Sequence, residues 1–233
     1  MTRRPSVRIA ANGRAVRVDQ PENLVDRAYT YIESQIVTLR LAPGAVVSEI
    51  ELANNLGMSR TPVGEALQRL AREGLVTVLP RRGIVVTELS VSDQIKLLEL
   101  RGEVSRFLAR TGAQRAKLQQ RTQLRAVARA FTDAAASSDE AAFLQADKAF
   151  HTLFSQCAQN DYAFTVMESM DSQSRRFWFA HRPDSADLAV SAGLHSDIAL
   201  AMADADAKAA EQASDALTAY LDAFARGTLM PAR

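Results

Sequence analysis

The chain has 233 residues, 47% apolar and 24% charged, enough for one large core or two ordinary ones, and two domains are expected. One cysteine, Cys157, excludes an intrachain disulfide framework and a cysteine-cluster zinc site, and no apolar run is long enough to span a membrane. The formal net charge of +1 hides an asymmetry: residues 1–89 carry 12 Lys+Arg against 9 Asp+Glu and the remainder 16 against 18, so a modest basic excess that nucleic acid would feel is N-terminal.

Residues 1–21 contain arginines but no apolar stretch of the secretory kind, so they read as a flexible basic arm on a cytoplasmic protein. Leu24, Ala28, Tyr31, Ile32, Ile36 and Leu39 then recur at the spacing of one helical face, and Pro43-Gly44 ends the segment. Ser48-Glu49-Ile50-Glu51 offers a capping box and Gly57 a stop, which predicts a short second helix. After the turn Gly57-Met58-Ser59, residues Val63, Ala66, Leu67 and Leu70 give the apolar stripe of a third helix that runs to about Glu73, with Pro62 in its first turn. LVTVLPRRGIVVTEL alternates around Pro80-Arg81-Arg82-Gly83, as a two-stranded hairpin with a basic tip would. Helix, short helix, helix and hairpin make a winged helix-turn-helix over residues 22–89, the third helix standing where it can enter a major groove.

From Ser90 the chain becomes alanine-rich and helical, with Leu97, Leu100, Val104, Phe107 and Leu108 as the first stripe. Helices are expected near 91–115, 117–136, 139–158, 160–181, 185–203 and 206–226, forming an all-α antiparallel bundle over residues 90–228. The fold class is therefore mainly α, with a small β-hairpin wing.

Opposite its apolar stripe the third helix presents Arg60, Thr61, Gly64, Glu65, Gln68, Arg69 and Arg72. Arginine pairs with guanine or grips phosphate, Gln68 suits adenine, and Ser59 and Thr61 at the helix start can donate to phosphate. Arg81 and Arg82 on the wing would reach an adjacent backbone. On the row alone, the same charges could simply solvate an exposed face.

The stretch LRLAPGAVVSEIELANNLGMSRTPVGEALQRLAREGLVTVLPRRGIVVTEL closely resembles the N-terminal domain of the GntR family of bacterial transcription regulators, and the helical remainder resembles the ligand-sensing domain of its FadR-type branch. The resemblance covers about residues 22–226. It implies a homodimer that binds a palindromic double-stranded DNA operator, by default as a repressor, and that responds to a small effector. Arg60, Thr61, Arg82 and Gly83 match DNA-contacting positions of the family. Ile50 and Gly64 stand where the family usually has arginine, so Gly64 occupies a contact position rather than a packing one.

In FLQADKAFHTLF, Asp147 and His151 share a helix face with Phe143 and Phe154, so a carboxylate and an imidazole point toward the core. His195 lies in line with Leu188, Ile198 and Met202. Together they could hold a divalent metal with positions left open, or form an Asp–His pair lining a metal-free pocket. Resemblance to the family implies zinc, nickel or manganese on an Asp-x-x-x-His pair and two later histidines. The last helix has none; Leu217 or Tyr220 falls near that place. Arg101, Arg175 and Arg176 are candidates to neutralise an effector carboxylate, and Arg101, Arg175 and Tyr220 are assigned to the effector site. His181 reads as a C-terminal cap and Cys157 as core. Two alternatives remain: a hydrolase using the Asp/His/His cluster as its metal centre, and a DNA-independent helical adaptor.

Overall fold

The computed structural model describes residues 23–79, 83–181 and 185–228. The arm expected at 1–21 and the wing-tip residues Arg81 and Arg82 lie outside the described residues.

Helix α1 (Leu24–Val37) starts at Asn23, whose side chain accepts from the Val25 amide at 3.1 Å. Its inner face is Ala28, Tyr29, Ile32 and Ile36. Two residues of the expected stripe fall outside it. Leu24 in the first turn is 49% exposed, and Leu39 follows the helix in a left-handed conformation (φ 59°), where the chain reverses and the Leu41 amide bonds to the Gln35 carbonyl at 2.9 Å. Strand β1 (Val46–Val47) comes next, then α2 (Glu49–Leu56), in which the Ser48 hydroxyl accepts from the Glu51 amide at 3.3 Å. Gly57, at φ 61°, ends α2 in the left-handed region that glycine adopts without steric cost. That turn launches α3 (Arg60–Arg72), whose Val63, Ala66, Leu67 and Leu70 are fully buried against α1 and α2.

Strands β2 (Val76–Leu79) and β3 (Gly83–Val86) pair antiparallel, Val76 opposite Val86 and Val78 opposite Ile84. The sheet has three strands rather than the two expected. Val46 and Val47 add to the far side of β3, opposite Val85 and Ile84, in the order β1-β3-β2. Two residues are too few to show alternation, and their partners lie nearly forty positions ahead.

Six long helices follow: α4 (Val91–Arg115), α5 (Leu118–Ser137), α6 (Glu140–Cys157), α7 (Asp161–His181), α8 (Ser185–Ala203) and α9 (Ala207–Gly227). Their bounds agree with the expected ones to about a residue because the starts are encoded locally. Asp139 and Asp206 cap α6 and α9 by accepting from the Ala142 and Ala209 amides, each at 2.9 Å. Helix α4 packs along α9, and α5 along α8. The bundle core is built around Leu108, Phe131, Phe150, Phe154, Met167 and Met202. Leu100, expected in the first stripe, is 55% exposed; the inward row of α4 is Leu98, Arg101, Ser105 and Leu108. Cys157 is fully buried, and His181 contacts the Phe177 carbonyl through Nδ1 at 2.9 Å and stacks on the Phe177 ring. Among the described residues no helix is long and apolar enough to cross a membrane.

Candidate functional site

The outer face of α3 carries Arg60, Thr61, Gln68 and Arg72, all exposed, with Gly64 half-buried between them. Ser59 precedes the helix in an extended conformation with its hydroxyl not engaged in capping, so both that oxygen and the first backbone amides are free to meet an anion. Gly83 is exposed at the start of β3. Ile50, in the first turn of α2, is 55% exposed.

Arg69 does not belong to this face. Its guanidinium lies 3.8 Å over the Tyr29 ring and pairs with Glu73 at 3.1 Å, Glu168 at 2.6 Å and Asp26 at 3.5 Å. Helix α3 thus uses one arginine to fasten the head to α7 while the rest of its cations point outward. Glu49, in the first turn of α2, sits beside the free row, 3.5 Å from Arg60 Nε. A Cβ built on Gly64 would lie 3.3 Å from its Oε1.

In the bundle, Asp147 and His151 on α6 meet His195 on α8, and all three are buried. One donor atom from each lies within 4.8 Å of the others. Asp147 Oδ1 is 3.4 Å from His151 Nε2 and 3.3 Å from His195 Nε2. His195 Nδ1 is 2.7 Å from the Ser191 carbonyl. That carbonyl can only accept, so the His195 proton sits on Nδ1 and the Nε2 lone pair faces the carboxylate. A lone pair opposed to a carboxylate oxygen, with Asp147 Oδ2 buried and lacking a hydrogen-bond partner, is an arrangement that a cation between them would satisfy. Burial pushes the His195 imidazole down to about 4, which keeps it neutral and able to ligate.

Two arginines flank the cluster. Arg101 donates to Asp171 Oδ1 at 3.0 Å and, since a guanidinium only donates, to His151 Nε2 at 3.2 Å. Arg175 Nε is 3.7 Å from Asp147 Oδ2. The cavity that they line with Phe143 and Trp178 holds about 30 Å³, room for an ion with water or a very small ligand.

Residues 24–86 match the family described as bacterial regulatory proteins, gntR family, and residues 96–220, more than half of the chain, match the FCD domain. The chain is a GntR-family regulator with an FCD domain. It is 38% identical over 138 residues, covering 58% of this chain and 80% of that protein, to an "Uncharacterized HTH-type transcriptional regulator in the TAR-I ttuE-ttuC' intergenic region" of Agrobacterium vitis. The Nta operon transcriptional regulator of Aminobacter aminovorans is 30% identical over 72% of this chain and 78% of its own. HTH-type transcriptional repressor RspR of Escherichia coli (strain K12) is 27% identical over 83% of this chain and 84% of its own. Among solved structures, E. coli McbR/YncC superposes with a TM-score of 0.77 over 89% of this chain and 99% of that one, at 18% identity, which speaks for the fold alone.

These families and relatives are transcription regulators and not enzymes, so the hydrolase alternative falls. In this GntR-family regulator the structure also redraws the effector-site residues. Tyr220 is not in the cavity: its hydroxyl donates to Asp187 Oδ1 at 3.2 Å, tying α9 to the start of α8, and Leu221 lines the pocket instead. Leu217 is buried in the core. Arg176 is also absent from the pocket, since its guanidinium binds the Thr87 carbonyl at 3.0 Å, the Thr87 hydroxyl at 3.1 Å and the Glu88 carbonyl at 3.4 Å. Arg101 and Arg175 do line it. Asp171, which the sequence reading missed, holds Arg101 in place. Its one sequence signal was its place on the buried face of α7, four residues before Arg175.

Proposed function

We propose that the protein is a cytoplasmic repressor that binds a palindromic operator as a homodimer through residues 22–89, and that a small carboxylate sensed within residues 90–228 weakens or rearranges that binding. The observation that carries the reading is the division of labour on α3. Its apolar stripe is sealed against the head while Arg60, Thr61, Gln68 and Arg72 stand exposed beside an uncapped Ser59. Arg60, Thr61 and Ser59 would grip phosphates, Gln68 would read a base edge, and Gly83 and the wing arginines Arg81 and Arg82 would flank the groove. The repressor assignment takes support from the relative named as a repressor.

In the sensing half, Asp147, His151 and His195 would hold one divalent ion such as zinc, nickel or manganese, with Arg101 yielding its contact with the His151 lone pair. Such an ion would supply a Lewis-acid anchor for an oxygen ligand. Arg101 and Arg175 provide guanidinium forks for the carboxylate. The cavity as it stands takes only a compact anion, so a larger effector would need Trp178 or Phe143 to shift. The experiment is a salt series of binding to duplex DNA from upstream of the protein's own gene, repeated with Arg60→Ala. Binding that weakens linearly in log salt, and weakens less steeply in the variant, supports the reading. Identical slopes would remove Arg60 from the interface.

A further inference from the structure

The head and the sensing bundle meet through a buried carboxylate whose partners all come from the bundle. Glu33 on α1 has a side chain only 4% exposed. Its Oε2 receives Lys148 Nζ from α6 at 2.9 Å, and its Oε1 receives the Ser172 hydroxyl from α7 at 2.9 Å. The closest contact to Oε1 is the Arg175 guanidinium, which also donates to the Ser172 hydroxyl at 3.0 Å. Burial pushes the Glu33 carboxyl up, and Arg175 and Lys148 overcome that and hold it below its ordinary value.

Arg175 reaches the other way as well. Its Nε is buried, lacks a hydrogen-bond partner and lies 3.7 Å from Asp147 Oδ2. The side chain lines two neighbouring cavities, the one at Asp147 and a second of about 60 Å³ between α1 and α6–α7 that Tyr29, Glu33 and His151 also line. One guanidinium therefore spans the distance from the sensing cluster to the head.

We infer that Arg175 is a relay: an anion bound at the Asp147–His151–His195 site competes with Glu33 for the Arg175 guanidinium, so that filling the site loosens the head. This rests on the reading that the site takes a small carboxylate. An anion entering the cavity meets two buried guanidiniums, Arg101 and Arg175, each with an Nε that lacks a hydrogen-bond partner, and of the two it is Arg175 that also holds Glu33 of the head. Drawing Arg175 inward leaves Glu33 with Lys148, whose side chain is 41% exposed, and a hydroxyl. A buried carboxylate stripped of its guanidinium is strongly disfavoured, so α1 loses its hold on α7. Helix α1 packs on α3, which carries the outward cations, so the motion reaches the DNA face. The Arg69–Glu168, Gln173–Glu73 and Arg176–Thr87 contacts lie beyond the relay and would remain as the pivot about which the head shifts.

The test uses the full chain with acetate as probe, with and without added zinc, at ionic strength held by chloride. Trp178, the single tryptophan, lines the cavity and packs on Phe143 at 5.1 Å, so its emission reports occupancy. Hydrogen exchange of the α1 amides reports docking of the head. In the wild type, acetate should change Trp178 emission and speed α1 exchange. Glu33→Gln should bind acetate more tightly, on the order of tenfold, because the competitor is gone, and its α1 amides should exchange fast with or without acetate. Ser172→Ala, a milder change, should move both readouts in the same direction by less. Equal acetate affinity in all three proteins, with α1 exchange unmoved by acetate, overturns the relay and leaves the sensing site standing. No Trp178 response in any protein, with or without zinc, overturns the sensing site and the relay with it.

Discussion

Gly64 sits on the outward row of α3 where the family usually places arginine, and Gly64→Arg separates two accounts of it. Glycine inside a helix costs about 1 kcal/mol relative to alanine, and arginine is nearly as good a helix former, so the variant head should gain most of that. The obstacle is small. A new Cβ would lie 3.3 Å from Glu49 Oε1 and 3.7 Å from its Cδ, the end of a flexible and partly exposed side chain that can give by a few tenths of an ångström. The head should therefore fold and melt slightly higher. On DNA, one added phosphate contact steepens the slope of log affinity against log salt by about 0.9 per head and tightens binding at low salt on the order of tenfold. The assay is a fluorescence-anisotropy titration of duplex at several salt concentrations, with the melting temperature recorded beside it. Weaker binding or an unchanged slope in a variant that melts no lower would mean that the bare backbone itself must approach DNA, and that Gly64 does not simply mark a phosphate contact this head lacks.

Glu49→Gln should tighten DNA binding by less than about 1 kcal/mol, since it frees Arg60 from an exposed ion pair and removes a negative charge from the DNA face; gel shifts showing no gain would refute it. Saturating zinc, nickel or manganese, at about one hundred times its dissociation constant, should add close to 2.7 kcal/mol to the stability of the bundle and raise its melting temperature, and His195→Ala should abolish the shift. An equal shift in both proteins would place the metal elsewhere. Tyr220→Phe should lower stability by about 1 kcal/mol, because the hydroxyl donates to Asp187 and so ties α9 to the start of α8; an unchanged melting temperature by calorimetry would refute that tie.

What the sequence made legible was what is written locally. The periodic stripe of α3, the Ser48 cap and the stop at Gly57 each involve neighbours within a turn or two, and those elements stand where expected. Asp147 and His151 were visible for the same reason, being one helical turn apart, and His195 followed from its own apolar line. The failures share a cause in long-range contact. β1 exists only because β3 is there to pair with it. Arg69 looked like a member of the free row until Glu168, ninety-nine positions away, claimed it. Tyr220 stood at the place of a missing ligand, but its hydroxyl was drawn off by Asp187 on the neighbouring helix. Glu33 carried no local mark of importance and Asp171 only its place one helical turn before Arg175, because what makes them matter is the arginines that tertiary packing brings against them.

The account turns on whether the free face of α3 seats on duplex DNA. The most direct measurement is the affinity of the full chain for a duplex from its own upstream region across a range of salt, beside Arg60→Ala and Gln68→Ala. The account predicts binding that falls linearly in log salt, a shallower slope for Arg60→Ala, and lost preference for the upstream duplex over scrambled DNA for Gln68→Ala. A folded protein that ignores every duplex at low salt would contradict it.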